Sequence, residues 1–370
     1  IFHEGIWVKT FFDVTTPFSD LKSTLIQLNC QNNQISLFGD SFESMTNNCM
    51  WGDLRYGPLF HILKVPVENI NFVFYPIMFY FLFLFIFIKF RNEVDLNEFE
   101  INLIALSPIV NQSLSQLNID LLIFAIFYII INKFPENFFL NLTFFLLLAL
   151  LKYHPIGLII GYLFIKNKKK ENKFYGLLYL FIFISVVFIF SQLDTNFLLN
   201  NNTARPSTMY SANGLLTISQ YIWIDYFNYF YGFRVVLFLL VFQIVLIFVT
   251  VFLNKEFYLK NIKLNDSKNN LFTFSLLGWT LTISIYANYD YRYILFLLVL
   301  TLIKRNKIAN FIFIGLFLLS PIPMISIEFL ANILFIFKAI LFIMLTSICF
   351  YIFIFNKDNF LDKILKKLNY

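Results

Sequence analysis

Long apolar runs alternate with short polar segments along almost the whole chain after residue 69. A membrane-spanning helix needs about 20 apolar residues, and several of these runs are shorter or carry polar side chains. We therefore predict an all-α, polytopic transmembrane bundle of about ten or eleven membrane segments, drawn from eleven apolar stretches. These cover residues 70–88, 99–114, 119–131, 136–151, 154–166, 174–192, 233–253, 270–287, 291–303, 308–321 and 336–355.

Composition supports a membrane protein. The chain is 59% hydrophobic and 14% charged, with a mean hydropathy of +0.72, and a soluble domain of this length needs a larger polar surface. We interpret the 52 phenylalanines mainly as lipid-facing residues. The net charge of +6 lies in short basic runs between apolar stretches, which is typical of topology signals and does not indicate a nucleic-acid partner.

The basic runs predict the orientation of the bundle. If residues 1–69 are extracytoplasmic and the segments alternate, most of the 28 basic residues fall in cytoplasmic connections, as the positive-inside rule requires. These connections are 89–98, 133–135, 166–173, 255–268, 304–307 and the cytoplasmic tail 357–370. We therefore expect a multi-pass cell-membrane protein whose active face is extracytoplasmic.

Three parts follow from this topology: an extracytoplasmic first loop at 1–69, a transmembrane helical domain at 70–356, and the tail. The transmembrane domain contains a long outer loop at 193–232, and long loops are usually functional or disordered. The chain begins at Ile1 in a short polar stretch, so we expect a further helix upstream. Cys30 and Cys49 in the first loop either form a disulfide or remain two thiols, because spacing alone does not decide.

The first loop carries a candidate general base. Asp20 follows Pro17 and precedes an amphipathic run. It either caps a short helix or deprotonates an acceptor hydroxyl, and both roles are compatible. Tyr56 precedes Gly57-Pro58, which is either a turn before the first helix or part of a cavity mouth.

Polar residues interrupt the apolar runs at further outer corners. Gln116 and Asn118 lie in the segment 115–120, which ends at Asp120; they either satisfy the backbone of the corner or bind sugar hydroxyls. In Lys152-Tyr153-His154-Pro155, the lysine either snorkels or presents a point charge to a phosphate.

The last outer corner is the polar and aromatic cluster 288–293, which contains Asp290 and Arg292. The two residues lie two positions apart and point to different sides of a helix. Arg292 is a second candidate for a phosphate because its guanidinium matches phosphate oxygens. The alternative interpretation is an aromatic belt at the membrane interface.

The chain has no Walker loop, dinucleotide fingerprint, zinc motif or nucleophile elbow. A cytoplasmic nucleotide-sugar donor is therefore not favoured, and a lipid-carried donor fits the outer polar groups better.

These elements together resemble the GT-C superfamily of integral-membrane glycosyltransferases, and above all the polyprenol-phosphate-mannose-dependent mannosyltransferases of glycosyltransferase family 87. Over about residues 15–300, the resemblance is carried by short elements in the same order. They are Asp20-Leu21, Tyr56-Gly57-Pro58, Ser107-Pro108 followed by Ser115-Gln116-Leu117-Asn118 with Ser115 in place of glycine, and Lys152-Tyr153-His154-Pro155. The segment 288–293 departs from the family, whose members often have His or Trp there.

The resemblance implies an inverting transfer of a hexose, for example mannose, from a polyprenyl-phosphate donor to a lipid or glycan acceptor. Asp20 is then the expected base, and basic residues are expected to hold the donor phosphate. From their chemistry and their place on the outer face, we expect Lys152 and Arg292 in that role, and sugar or acceptor binding by Tyr56, Gln116, Asn118, His154 and Asp290. No role is transferred from the family to the segment 288–293. No metal and no cofactor are expected, because basic side chains can offset the phosphate charge.

Two other function classes remain open from the sequence. A polytopic transporter or lipid flippase often has repeated halves, and no repeat is visible here, although broken helices are. A structural or assembly protein of the membrane would not need polar groups gathered on one face.

Overall fold

The structure is a computed structural model, and the following account covers part of the chain. The residues described are 58–59, 74–94, 96–107, 109–110, 120–165, 170–193, 212–213, 215, 218–219, 233–262, 270–285, 288–289, 296–304, 306–319 and 328–356.

This part of the chain is almost entirely helical, so the predicted all-α class is confirmed. In chain order the helices are α1 Phe74–Glu93, α2 Glu98–Ala105, α3 Asp120–Lys133, α4 Phe138–Leu151, α5 Ile156–Leu163, α6 Lys170–Leu193, α7 Phe233–Leu253, α8 Lys255–Asn261, α9 Asn270–Ile285, α10 Leu297–Leu300, α11 Lys307–Leu319 and α12 Glu328–Phe355. Two short strands, β1 Ala212–Asn213 and β2 Asn288–Tyr289, pair antiparallel.

Asparagine side chains cap the N-termini of three of these helices. Asn97 accepts from the backbone N–H of Glu100, whose side chain accepts in return from the backbone N–H of Asn97. Asn137 caps α4, and Asn306 accepts from two backbone N–H groups at the start of α11. Such caps satisfy N–H groups that have no partner within the helix. The apolar runs therefore become helices with starts defined by the polar connections.

The core is built around α5 and α9, which cross in an antiparallel sense. Nearly all of α9 is buried, including Trp279, and most of α5 is buried with it. At the crossing a Cβ added to Gly157 or Gly278 would fall on the backbone of the opposite helix. Small residues let two helix backbones approach this closely, so the glycines fix the register of the crossing.

The outer helices present large apolar side chains to their surroundings. Phe81 of α1, Phe181 of α6 and Phe238 of α7 are 65%, 66% and 67% exposed. Soluble monomers rarely expose contiguous apolar patches of this kind, and such patches mark protein or membrane contacts. The outer surface of the bundle is therefore suited to an apolar environment.

Two of the described helices are long and apolar enough to cross a membrane, over Asn172–Ile189 in α6 and Ile333–Phe355 in α12. The first is 6% buried within the protein and the second 61%. These two helices indicate that the chain associates with a membrane. α2, α5 and α10 are shorter than their apolar stretches: α5, with eight residues, is about 12 Å long, against about 30 Å of hydrocarbon.

The last helix begins earlier than expected. The sequence predicts the last apolar segment at 336–355, whereas α12 runs without a break from Glu328 to Phe355. No proline or glycine lies between these two residues, so nothing in the sequence ends a helix there.

Polar contacts between elements fall at both ends of α3. At its C-terminal end, the Tyr128 hydroxyl donates to Oε1 of Glu93 at 2.6 Å. At its N-terminal end, Asp120 meets Lys152 and His154. A further contact joins α2 to α11, where Nδ2 of Asn310 donates to Oε1 of Glu100 at 3.2 Å. α3 therefore makes polar contacts with other elements near both of its ends.

Candidate functional site

Two of the eight predicted site residues, Lys152 and His154, lie in the part of the chain that the structure describes. They belong to the link between α4 and α5. The other six lie outside the described residues: Asp20, Tyr56, Gln116, Asn118, Asp290 and Arg292. Lys152 and His154 are therefore the two predicted site residues whose surroundings can be described.

Local backbone geometry presents both side chains. Lys152 ends α4 with extended backbone angles of φ −152° and ψ 134°, and Pro155 stands immediately before α5. Proline is well accepted at the start of a helix because its missing N–H needs no partner there. The short link therefore holds Lys152 and His154 at the ends of two helices rather than along a helix face.

Both side chains bind the carboxylate of Asp120, the first residue of α3. Nζ of Lys152 lies 2.8 Å from Oδ1 of Asp120, and Nε2 of His154 lies 3.0 Å from the same oxygen. The side chains of Asp120 and Lys152 are only 2% and 5% exposed. A buried carboxylate and ammonium are tolerated when they are paired and hydrogen-bonded, so this is a shielded ion pair.

Trp279 of α9 extends this cluster. Its indole Nε1–H donates to Nδ1 of His154 at 2.8 Å, and the two rings are nearly parallel, with 12° between their planes. An indole nitrogen can only donate, so Nδ1 of His154 is an acceptor. The contact of Nε2 with the carboxylate then assigns the imidazole proton to Nε2, which donates to Asp120.

We call these four residues the Asp120 cluster: Asp120, Lys152, His154 and Trp279. Trp279 donates to His154, His154 donates to the carboxylate of Asp120, and Lys152 donates to the same carboxylate. With a neutral imidazole, the cluster carries one negative and one positive charge. Its net charge is zero, and its polar groups are joined in a buried network, which strengthens each hydrogen bond.

The glycine crossing explains why residues 125 positions apart meet. Gly278 precedes Trp279 directly, and Gly157 follows His154 by three positions. Because Gly157 and Gly278 bring the two helix backbones into contact, the indole of Trp279 reaches the link that carries His154. The close packing of α5 and α9 therefore determines the geometry of the Asp120 cluster.

The strand pair brings two other outer segments together. Ala212 pairs with Tyr289, and Asn213 pairs with Asn288. Ala212 and Asn213 lie in the long loop 193–232. Asn288 and Tyr289 lie in the corner that continues into Asp290 and Arg292. The structure thus joins two segments that the charge pattern assigned to the same face.

Sequence reasoning missed two buried residues of the core, Trp279 and Lys338. It singled out Asp120 as the carboxylate that ends the polar corner 115–120, but nothing in the sequence linked Asp120 to Lys152. Trp279 and Lys338 each lie within an apolar run. Lys338 is fully buried in α12, with Nζ 5.5 Å from the ring centre of Phe335, and a single charge in such a run is its only sequence signal.

Among the described residues, no group of three or more His, Cys, Asp or Glu side chains is arranged to hold a metal ion. Comparison of the chain with protein-family models, with curated proteins and with solved structures gives no match.

Proposed function

We propose that the chain is a multi-pass membrane protein of about ten or eleven segments with a GT-C-like arrangement. The exposed apolar side chains of α1, α6 and α7 support this, together with the two helices that are long enough to span. The short helices α5 and α10, which are mostly buried, then lie inside the bundle, where other helices can satisfy their backbone groups.

Polar contacts support the proposed sidedness. Asp120 and Lys152 come from two corners that the basic-residue pattern assigns to the outer face, and they bind each other. Glu93 and Tyr128 lie beside two connections assigned to the inner face, and they also bind each other. The contact of Glu100 with Asn310 likewise lies between the inner connections at 89–98 and 304–307. These pairings are what an alternating topology requires.

We further propose that the protein is an integral-membrane glycosyltransferase that acts on the extracytoplasmic face. It transfers a hexose from a polyprenyl-phosphate donor to a lipid or glycan acceptor. One observation carries this proposal: one of the sequence elements behind the family resemblance, Lys152–Pro155, binds a carboxylate that is buried inside the bundle. The Lys152–Pro155 element binds Asp120, which follows the Gln116–Asn118 element by two positions. Ionisable residues gathered inside a membrane bundle favour a functional site.

In the proposed reaction Asp20 removes the proton of an acceptor hydroxyl, and the resulting oxygen attacks the anomeric carbon of the donor sugar. A new glycosidic C–O bond forms while the bond between that carbon and the phosphate oxygen breaks. The polyprenyl phosphate leaves with the bonding electrons, and the configuration at the anomeric carbon inverts. Lys152 and Arg292 stabilise the negative charge that develops on the phosphate.

The structure adds one requirement for Lys152. Its ammonium donates to Asp120, so a donor phosphate has to share this lysine with the carboxylate or replace the carboxylate. An ammonium carries three N–H donors, which makes sharing chemically possible. Both ring nitrogens of His154 are bound within the Asp120 cluster, which leaves its ring carbons for the proposed contact with the sugar or acceptor.

A transporter or lipid flippase is the second candidate, and α5 favours it. A short, buried helix of eight residues, preceded by Pro155 and packed against α9, is similar to the interrupted helices that line transporter sites. Both functions place polar groups inside the bundle, so the geometry alone does not separate them.

Purified protein in lipid vesicles separates the two functions. The assay supplies a radiolabelled polyprenyl-phosphate sugar with a membrane-lipid extract as acceptor, and a nucleotide sugar in a parallel sample. We expect label to move to a new lipid or glycan with the polyprenyl donor only. Movement of intact labelled donor across the bilayer, with no new glycoside, would instead support the flippase.

A further inference from the structure

Two donors converge on one oxygen of Asp120. Nζ of Lys152 lies 2.8 Å from Oδ1, and Nε2 of His154 lies 3.0 Å from it. An anionic oxygen that accepts a charged N–H donor at this distance is chemically similar to a phosphate oxygen. The carboxylate therefore offers Lys152 the same kind of partner that an anionic ligand would offer.

We propose that Asp120 is the resting-state partner of Lys152 and that a ligand phosphate replaces it as the partner of this lysine on binding. Asp120 is then a positioning residue, because it acts on the ligand through Lys152. It sets how strongly an anion must bind in order to recruit the lysine. The identity of the ligand as a polyprenyl phosphate rests on the proposed function, whereas the exchange of partners does not.

Lys152 is suited to move between two partners. Its backbone is extended and lies beyond the end of α4, and its ammonium sits on a flexible four-carbon stem. The charge can therefore turn from a carboxylate to a phosphate without any change in a helix. The exchange keeps the ammonium paired in both states, and a buried charge needs such pairing.

The other side of Asp120 is held in place. Trp279 is fully buried and packs against Phe127, with ring centres 5.3 Å apart. Its N–H fixes the orientation of His154, whose Nε2 then faces Asp120. When Lys152 turns away, Asp120 keeps the His154 donor, so the carboxylate is never left without a hydrogen bond.

This arrangement selects for charge. A neutral ligand offers no compensation for the lost carboxylate contact, whereas a phosphate does, so the resting pair discriminates against uncharged sugars and lipids. Replacing Asp120 by Asn keeps the shape and the acceptor oxygen but removes the competing charge. Asp120→Asn should therefore bind phosphate about tenfold more tightly or better, which corresponds to one decade in Kd.

The test measures binding to the purified full chain in lipid by titration calorimetry, with two probes in separate arms: a short polyprenyl monophosphate and inorganic phosphate. Asp120→Asn should bind the lipid probe at least about tenfold more tightly than wild type, and Asp120→Asn/Lys152→Met should lose the gain. Glu93→Gln, which removes one negative charge at the opposite end of α3, should bind like wild type. A gain with inorganic phosphate as well would assign recognition to the phosphate group alone.

Unchanged or weaker binding to a folded Asp120→Asn protein overturns the proposal, as does an equal gain in Glu93→Gln. If Asp120→Asn does not fold, infrared difference spectra of the wild type with ¹³C-labelled aspartate replace it. The lipid phosphate should then shift a carboxylate band as Asp120 loses Lys152. Absence of that shift in the wild type also overturns the proposal.

These outcomes are separable from those of the proposed function. If Asp120→Asn binds phosphate more tightly but the protein transfers no sugar, the partner exchange is supported and the glycosyltransferase proposal is contradicted. If the wild type transfers sugar but Asp120→Asn binds phosphate no more tightly, only the partner exchange is contradicted.

Discussion

At the scale of single residues, the buried ion pair between Asp120 and Lys152 has the largest energetic consequence. Neither side chain is more than 5% exposed. Breaking a buried pair by removing one partner is costly because a charge remains without compensation, whereas replacing both partners can be close to neutral. The pair therefore couples α3 to the link between α4 and α5.

Lys152→Met should lower the free energy of unfolding by about 3–5 kcal/mol. The double variant Asp120→Asn/Lys152→Met should recover most of that loss, because no charge is then left buried. Unfolding of the purified variants in detergent, followed by circular dichroism, measures both changes. A double variant that is less stable than either single variant would contradict this account of the pair.

The sequence predicts this site in part. Lys152 and His154 could be selected because a polar group beside a proline interrupts two apolar runs. Their pairing with Asp120 could not be predicted, since it depends on how α3 and α4 pack and joins residues 34 positions apart in the case of His154. Trp279 gave no signal, because tryptophan is ordinary in an apolar run.

At the scale of elements, the crossing of α5 and α9 positions the site. A Cβ on Gly161 would fall on the carbonyl oxygen of Phe274, and its neighbours there are backbone atoms that cannot turn aside. At Gly176 of α6, an added Cβ would instead meet Cδ2 of Leu163 at 2.7 Å, the far end of a flexible side chain. Gly161 therefore leaves no room for a larger side chain, whereas at Gly176 the side chain of Leu163 can move to make room for one.

Gly161→Ala should destabilise the protein by about 1–3 kcal/mol, as overpacking of a core does, and it should also weaken sugar transfer by moving Trp279 away from His154. Gly176→Ala is the matched control and should change stability by less than about 1 kcal/mol. Thermal unfolding of both variants in the same lipid makes the comparison. Equal effects of the two substitutions would show that the glycine crossing has no special role.

Helix positions follow from the sequence better than helix lengths. The apolar runs place α3, α4, α7 and α9 well, because a run of apolar residues between polar connections becomes a helix whether lipid or protein surrounds it. The lengths of α2, α5 and α10 do not follow from the apolar runs alone: α2, for example, ends just before Ser107-Pro108, and the residue before a proline disfavours helix. The Gly157 and Gly161 spacing was present in the sequence, but its partner Gly278 could be found only in three dimensions.

At the scale of the whole molecule, the proposed topology places each connection on one face of the membrane. We expect a cysteine at Asn202, in the long loop 193–232, to react with an impermeant thiol reagent in intact cells. A cysteine at Lys169 should react only after the membrane is opened, since the basic run 166–173 is expected inside. The background protein lacks Cys30, Cys49 and Cys349, so that only the introduced thiol is labelled.

Labelling of both positions from the same side would contradict the alternating topology, because an odd number of spans separates them in the proposed arrangement. A third cysteine at Asn265, in the connection 255–268, is the internal control and should behave like the one at Lys169. Every dense basic run predicts the same orientation, and this labelling tests that prediction.

Sugar transfer with Asp20 as the general base is tested by comparing three proteins. Purified wild type, Asp20→Asn and the control Asp40→Asn, another first-loop carboxylate, are compared in lipid with a radiolabelled polyprenyl-phosphate sugar and an acceptor extract. We predict transfer by the wild type and by Asp40→Asn, and a loss of about 10²–10⁴-fold in Asp20→Asn, the usual contribution of a general base. Transfer by Asp20→Asn at the wild-type rate, or no transfer by the folded wild type with any polyprenyl donor, would contradict the claim.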